Sequence, residues 1–289
     1  MTLNLEYLLE MVVTGNVRKM STESATSLGQ VLSYRWEYAD ILEKKPSFEI
    51  NNWVGKRIRW KYHGIVNCVV SGVPMQRAYR MGMSQEAFFS SPISCPSIIN
   101  PELSTIHTGE VLRDRDFEER YHNVPHVVYL SRTDKLKVGV TGFGREQFRW
   151  NDQGAVEAIT LCVTPYRQLA GEIEVALKEH LNDKTHWLGM LKDVHRNPSE
   201  LLELKDDCFD LLGGVHSEYE PFFSDDDAVS AIHYPVVKYP PKIKSIKLAT
   251  SPEGEGVLVG IKGQYLIFED GRVFNVRSHE GSQVTLEID

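Results

Sequence analysis

Two short stretches in the middle of this chain have the hydrophobic pattern of strands, one a continuous apolar run and one alternating with period two. Val127-Val128-Tyr129-Leu130 is a short apolar, β-branched run, and Leu136-Lys137-Val138-Gly139-Val140 alternates. The polar stretch from Ser131 to Lys135 lies between them, with Asp134 suited to a turn, so the pair predicts a β-hairpin. Gly142 and Gly144 then break the pattern. A helix is expected from near Trp150 or Gly154 to Ile159, and a third strand at Leu161-Cys162-Val163. Thr164-Pro165 reads as a helix start, because threonine caps free amides and proline is tolerated at the first helical position. Leu169, Ile173, Ala176, Leu177 and His180 recur at helical spacing and predict a helix over 165–181.

The flanks read differently. Lys56 to Tyr62 and Ile65 to Val70 alternate as paired strands, with His63-Gly64 as the turn between them. Residues 71–121 hold Pro74, Pro92, Pro96 and Pro101 and no long periodic stretch. A segment of that length either hides short elements or was organised by something other than a core. Trp187 to Leu191 predicts a short helix, and Pro198-Ser199 opens another through Leu204. Residues 257–261, 264–268, 273–277 and 284–288 predict strands, with Lys262-Gly263 and Asp270-Gly271 as hairpin turns. The fold class is therefore α+β. A β-rich N-terminal region (1–125) and a C-terminal part of helices and β-meander (196–289) flank a central α/β module (126–195).

Composition narrows the function classes. The 289 residues are 42% hydrophobic and 25% charged, as expected of a globular chain. No apolar run approaches the length of a membrane-spanning helix. Met1-Thr2-Leu3-Asn4-Leu5-Glu6 has no basic residue ahead of its apolar stretch, so no secretory signal is expected and the cytoplasm is the expected location. The net charge of −8 argues against nucleic-acid binding by the whole surface. The charge is uneven, however. Between Glu200 and Asp227, ten acidic residues face one lysine, so this stretch carries −9 and the rest of the chain +1. Three clusters are basic: Lys56/Arg57/Arg59/Lys61, then Arg132/Lys135/Lys137 with Arg145 and Arg149, then Lys238/Lys242/Lys244/Lys247. They are either solvated faces or a basic surface for an anionic partner.

Cys68, Cys95, Cys162 and Cys208 form no CxxC pair and have no histidine at zinc-ligand spacing, so reduced buried thiols are expected. The spacing of His107, His122 and His126 is not specific for a metal. Asp225-Asp226-Asp227 lacks the glycine and bidentate glutamate of a calcium loop. The five tryptophans offer either base-stacking faces or core packing, and packing is the commoner fate. There is no GxSxG, Walker or dinucleotide fingerprint.

Several strings together carry a resemblance. They are Pro125-His126-Val127-Val128-Tyr129-Leu130, Lys137-Val138-Gly139-Val140-Thr141, Arg149-Trp150-x-Asp152-Gln153-Gly154-Ala155, Ala170-Gly171-x-Ile173-Glu174, and Asp183-Lys184-Thr185-x-Trp187. Two more follow near the C-terminus, Tyr239-Pro240-x-Lys242-Ile243-Lys244-Ser245 and Gly260-Ile261-Lys262-Gly263-Gln264-Tyr265-Leu266-Ile267-Phe268. Nearly the whole chain resembles the bacterial family called domain of unknown function 2797. The central unit also resembles a GIY-YIG module, a small fold shared by nucleases and some non-nuclease proteins. That resemblance implies a tyrosine as or beside the general base, an arginine on the phosphate and a glutamate holding a divalent cation such as magnesium. Carried over, Tyr129 lies in the first motif and Lys137 replaces the tyrosine of the second. Arg149 is the phosphate-facing arginine with Arg145 as the alternative, and Glu174 is the carboxylate. Lys137, Arg145 and Arg167 are expected on the ligand. Lysine is a poor substitute for a phenol as a base, but it binds phosphate.

The family resemblance also implies cysteine ligands for zinc ahead of the histidine–valine–tyrosine run. Here Cys68 occupies one such position. The others fall on Ser71, Ser84, Ala87, Ser94, Ser97, Ser104 and Val111, with Cys95 one place off. Serine is not a usual zinc ligand, so no zinc is expected. Met81, Met83, Phe88, Phe89, Ile98 and Ile99 are expected to pack in local hydrophobic clusters instead. The first functional reading is binding of nucleic acid or another phosphate-bearing ligand, with catalysis doubtful. The alternatives are a non-catalytic protein-interaction scaffold, using the acidic segment 200–227 for a protein partner, and a metal-dependent nuclease.

Overall fold

The computed structural model describes residues 11–23, 29–178, 180–181 and 186–289. The motif Asp183-Lys184-Thr185 lies outside them. Two α+β units interleave along the chain. The first takes residues 1–23, 33–88 and 234–289, and the second takes 24–32 and 89–233.

The first unit is built on an eleven-stranded, mostly antiparallel sheet. Its centre is the strand Arg57–Asn67, hydrogen-bonded to Glu253–Lys262 on one side and Ser282–Ile288 on the other. Beyond Ser282–Ile288 come Met11–Thr22 and Tyr34–Asp40; beyond Glu253–Lys262 come Tyr265–Phe268 and Arg272–Asn275. Trp36, Tyr34, Ile58, Trp60, Phe268 and Leu286 fill its core. The hairpin expected at His63-Gly64 is instead one continuous strand. Its pairing jumps from Ser282–Val66 to Val284–Tyr62, and Gly64 has φ +74°. The glycine thus makes a bulge rather than a turn. The two C-terminal turn glycines do turn, Gly263 at φ +57° and Gly271 at +85°.

Residues 71–121 hold short elements. They include the helix Gln85–Ser90, single turns at Pro92–Ser94, Pro96–Ile99, Pro101–Leu103 and Ile106–Thr108, and the helix Arg115–Tyr121. Prolines sit in the first turns of three of them, where a missing N–H is harmless. The expected hydrophobic cluster forms only in part. Met83 and Phe88 are buried with Cys68 and Ala87, and Met81 packs at the edge. Ile98 is half-buried, and Phe89 and Ile99 are 57% and 60% exposed, each the last or next-to-last residue of a short helical turn.

The second unit has a four-stranded antiparallel sheet in the order Ser230–Ala231, Glu157–Thr164, His126–Arg132, Leu136–Gly142. The hairpin forms as expected, with Tyr129 opposite Gly139 and Ser131 opposite Lys137. Val128, Leu130, Val138, Ile159 and Leu161 point to one face of this sheet and pack on the helices Arg167–Lys178 and Pro198–Val215. The helix expected near 150–159 runs instead over Glu146–Gln153. Gly154, at φ +72°, ends it in a left-handed cap, and its N–H bonds the Asn151 carbonyl. The strand expected at Leu161-Cys162-Val163 forms and begins earlier, running over Glu157–Thr164; it is buried on both faces, so no alternation marks its first half. The helix expected from Pro165 begins at Arg167, since the Thr164 hydroxyl turns to the His126 and Tyr166 carbonyls rather than to free amides. The helix opened by Pro198 continues past Leu204 to Val215, with Asn197 capping the Glu200 N–H.

Candidate functional site

The face of the hairpin opposite that core carries Tyr129, Gly139 and Lys137, because residues directly paired across strands share a face. The Tyr129 ring lies over Gly139, where a Cβ would stand 2.6 Å from the phenol oxygen; only glycine fits. Trp150 meets the ring edge-on at 6.0 Å. The helix Glu146–Gln153 covers this face, and Gln153 accepts the Tyr129 hydroxyl at 2.9 Å. Tyr129 is fully buried. Burial raises its pKa above the ordinary phenol value, against the pull of the Arg149 cation and a hydrogen bond from it. The phenol therefore stays protonated at neutral pH and is a poor base.

Arg145, the N-cap of the helix Glu146–Gln153, and Arg149, one turn into it, are both exposed, the Arg149 N–H bonding the Arg145 carbonyl at 3.0 Å. No carboxylate lies within ion-pair distance of either among the described residues. Arg145 rests over the Phe148 ring at 5.1 Å.

Glu174 comes from the helix Arg167–Lys178. Its carboxylate is held above the usual range by burial, while Lys178, at 3.2 Å, pulls it down and Glu102 pushes it up. Glu102 reaches this neighbourhood from the turn Pro101–Leu103 because Gly171 lets that turn sit on the helix. A Cβ on Gly171 would lie 2.1 Å from the Glu102 nitrogen. Tyr129, Arg149, Glu174 and Arg167 thus fall within electrostatic reach of one another.

Two side chains expected on the ligand are turned inward. Lys137 is 3% exposed and has an interaction partner of its own. Arg167 is committed to the fold: its Nε donates to the Ser97 carbonyl at 2.7 Å, one terminal nitrogen to the Ile98 carbonyl at 3.1 Å, and the other to His126 Nε2 at 3.2 Å. Burial lowers its pKa to about 10, with Arg149 adding to the effect. His126 donates through Nδ1 to the Val124 carbonyl at 2.8 Å, so it is the neutral tautomer. His122 is buried against Ser97. Burial, with Arg167 nearby, takes both histidines down to about 4.

The donor set does not suit a metal. Among the described residues no three His, Cys, Asp or Glu side chains form a group able to hold one. Cys68 Sγ accepts N–H bonds from Ser71 at 3.4 Å and Ser84 at 3.3 Å. Burial raises its pKa, but these bonds outweigh it and bring the thiol to about 7. Glu174 has one carboxylate neighbour, Glu102, and the Lys178 ammonium against it.

The charge clusters resolve unevenly. Arg57 and Arg59 pair with Glu255 and Asp289, and Lys61 with Glu253, so three of the four cations of the first cluster are paired. Arg59, Lys61, Glu253 and Glu255 line a cleft of about 320 Å³ around Trp60. Arg132 pairs with Glu157 and Glu200, both at 2.7 Å. Lys238, Lys242, Lys244 and Lys247 are exposed. Within the acidic stretch, buried Lys205 holds the Asp226 carbonyl at 2.9 Å and Asp227 at 2.7 Å, tying that loop to the helix Pro198–Val215. Trp36, Trp53, Trp60 and Trp150 are core residues.

Sequence reasoning missed Gln153 as the partner of Tyr129, although it lies inside the Arg149-to-Ala155 string. It also missed Glu102, which no local signal marks.

Fold and site define an α+β protein whose second unit sets two exposed guanidiniums above a buried tyrosine. The chain belongs to the family described as Protein of unknown function (DUF2797), whose model matches residues 55–284. No curated protein and no solved structure matches it. No helix among the described residues is long and apolar enough to cross a membrane.

Proposed function

We propose that this protein binds a nucleic acid or another phosphate-bearing ligand on the face carrying Arg145 and Arg149, without cleaving it. The observation behind this reading is the pair of exposed guanidiniums, one helical turn apart, with no carboxylate among the described residues at ion-pair distance and only the longer-range pull of Glu174, itself paired with Lys178, on Arg149. Guanidinium forks suit phosphate oxygens, and ones outside any salt bridge need not break it first. The order strand, strand, helix, strand, helix over residues 126–178 is that of a GIY-YIG-like module, which supports the same face. Three features speak against hydrolysis. The Tyr129 phenol is sealed and protonated, Lys137 replaces the second tyrosine and is buried, and Glu174 is engaged by Lys178. Lys137 and Arg167 support the site from beneath rather than touching the ligand. On this reading the serine-rich segment 71–104 is a metal-organised segment whose ligands have been replaced; elemental analysis finding stoichiometric zinc would refute that part.

The test is fluorescence anisotropy with labelled oligonucleotides across a salt series. Affinity should fall steeply with salt. Arg145→Glu with Arg149→Glu should weaken binding and flatten the slope by about 0.7–0.9 for each phosphate no longer neutralised. Binding that ignores salt and both substitutions would refute the reading. One observation favours a scaffold role instead: Lys205 fastens the acidic loop to an ordered helix, which presents a shaped acidic surface to a protein partner. Magnesium-dependent cutting abolished by Glu174→Gln would favour the nuclease.

A further inference from the structure

Between the hairpin and the helix Glu146–Gln153, the turn Gly142-Phe143-Gly144-Arg145 carries a phenyl ring that does not enter the core. Phe143 is 63% exposed, the most exposed aromatic ring among the described large hydrophobic residues. Its backbone is nevertheless fixed. The Phe143 N–H donates to the Pro125 carbonyl at 2.9 Å, and the Arg145 N–H to the Gly142 carbonyl at 3.0 Å. Gly144, at φ +76°, gives the turn its reversal. Its N–H is taken by Glu146 Oε1 at 3.0 Å, so that carboxylate is engaged with backbone. Arg145 follows two residues after the ring, is itself steadied on Phe148, and is followed one turn later by Arg149.

An exposed ring on a fixed turn is unfavourable in water and idle in the fold. Beside two exposed guanidiniums that stand outside any salt bridge, it matches a ligand with an anionic backbone and a flat apolar face a few ångströms away. An unpaired nucleotide has both: a phosphate for the arginines and a free π-face for the ring. A duplex has only the first, since its bases are stacked on one another. A bare phosphate or polyphosphate likewise has only the first.

We infer that this site takes single-stranded nucleic acid, stacking one unpaired base on Phe143 while Arg145 and Arg149 hold the adjoining phosphates. The inference rests on the phosphate-binding reading above and adds the strand state of the ligand to it.

The experiment uses the full chain and fluorescein-labelled oligothymidylate of about 15 nucleotides, a length within the usual site sizes for single-strand binders. A duplex of the same length and inorganic polyphosphate serve as competitors. Phe143→Ala removes an exposed ring, so folding is preserved, and circular dichroism checks this. Expected is a loss of about five- to a hundredfold in single-strand affinity with the salt slope unchanged. Phe143→Trp should restore binding, with the indole emission quenched on adding oligothymidylate. Arg145→Glu and Arg149→Glu should lower both affinity and slope. Salt-dependent binding in which duplex or polyphosphate competes equally and Phe143→Ala changes nothing overturns the stacking inference and leaves the phosphate reading standing. Absence of salt-dependent binding to any of the three probes overturns both.

Discussion

Gly171→Ala and Gly214→Ala are the same substitution in two helices of the second unit, and the structure gives them opposite signs. Alanine is the better helix former by about 1 kcal/mol, so propensity alone favours both changes. At Gly214, near the end of the helix Pro198–Val215, nothing lies within 4 Å of the new methyl. That variant should gain up to about 1 kcal/mol. At Gly171 the methyl would meet backbone at three points: 2.1 Å from the Glu102 nitrogen, 2.5 Å from the Pro101 carbonyl carbon and 2.7 Å from the Glu102 Cα. Backbone cannot swing aside as a side chain can, so the turn and helix must part. Overpacking of this kind costs about 1–3 kcal/mol, and the clashes here belong at the upper end. After the propensity gain, a net loss of about 2 kcal/mol remains, or roughly 5 °C in a chain of this size. Thermal unfolding of the two variants side by side measures the difference. A raised midpoint for Gly171→Ala would refute the close packing of Pro101–Leu103 on this helix, and with it the placement of Glu102 beside Glu174.

Other expectations follow from buried charge. His122 and His126 have folded pKa values of about 4, below the unfolded 6.5, so the unfolded chain takes up protons first as the pH falls. Their stabilisation is present above about pH 6.5 and lost on acidification, by about 2 kcal/mol per histidine between pH 7 and 5. Urea midpoints across that range should show the fall, and His122→Gln should reduce it; a midpoint flat over the range would count against both burials. Arg132→Met strands the fully buried Glu157 carboxylate with only the Asn197 N–H as a partner, and should cost about 3–5 kcal/mol. A cost of less than about 1 kcal/mol in urea unfolding would show that the pair is open to water. Gly139→Ala forces the Tyr129 ring off the strand and should break its bond to Gln153, lowering the melting temperature; an unchanged temperature would rule out the close approach.

The hairpin 126–142 was legible because its strands alternate or are β-branched. The C-terminal meander was legible from Gly263 and Gly271, whose left-handed backbone the turns require. The same residue type misled at Gly64, where local chemistry cannot tell a bulge from a turn; the partners that decide it lie at 282–288. Strand 157–164 was legible only in its second half, at Leu161-Cys162-Val163; buried on both faces, its first half shows no clean alternation and was read as the end of a helix. Of the site, Tyr129, Arg149 and Glu174 were placed by resemblance, and the structure brings them within electrostatic reach. What could not be read was which cations face water. Lys137 and Arg145 look alike in sequence, yet one is 3% exposed and the other open.

The central strand of the first unit has a consequence for synthesis on the ribosome. Arg57–Asn67 finds both of its long hydrogen-bonding neighbours only in residues 253–288, at the far end of the chain. At translation rates of about 5–20 residues per second, it waits roughly ten seconds or more with both edges bare except at its end, where Pro74–Met75 pairs with Val66 and Asn67. During that interval residues 89–233, whose partners are all in hand, can complete their own fold, while the waiting strand depends on chaperones or on its bulge and charged side chains to avoid pairing with another nascent chain.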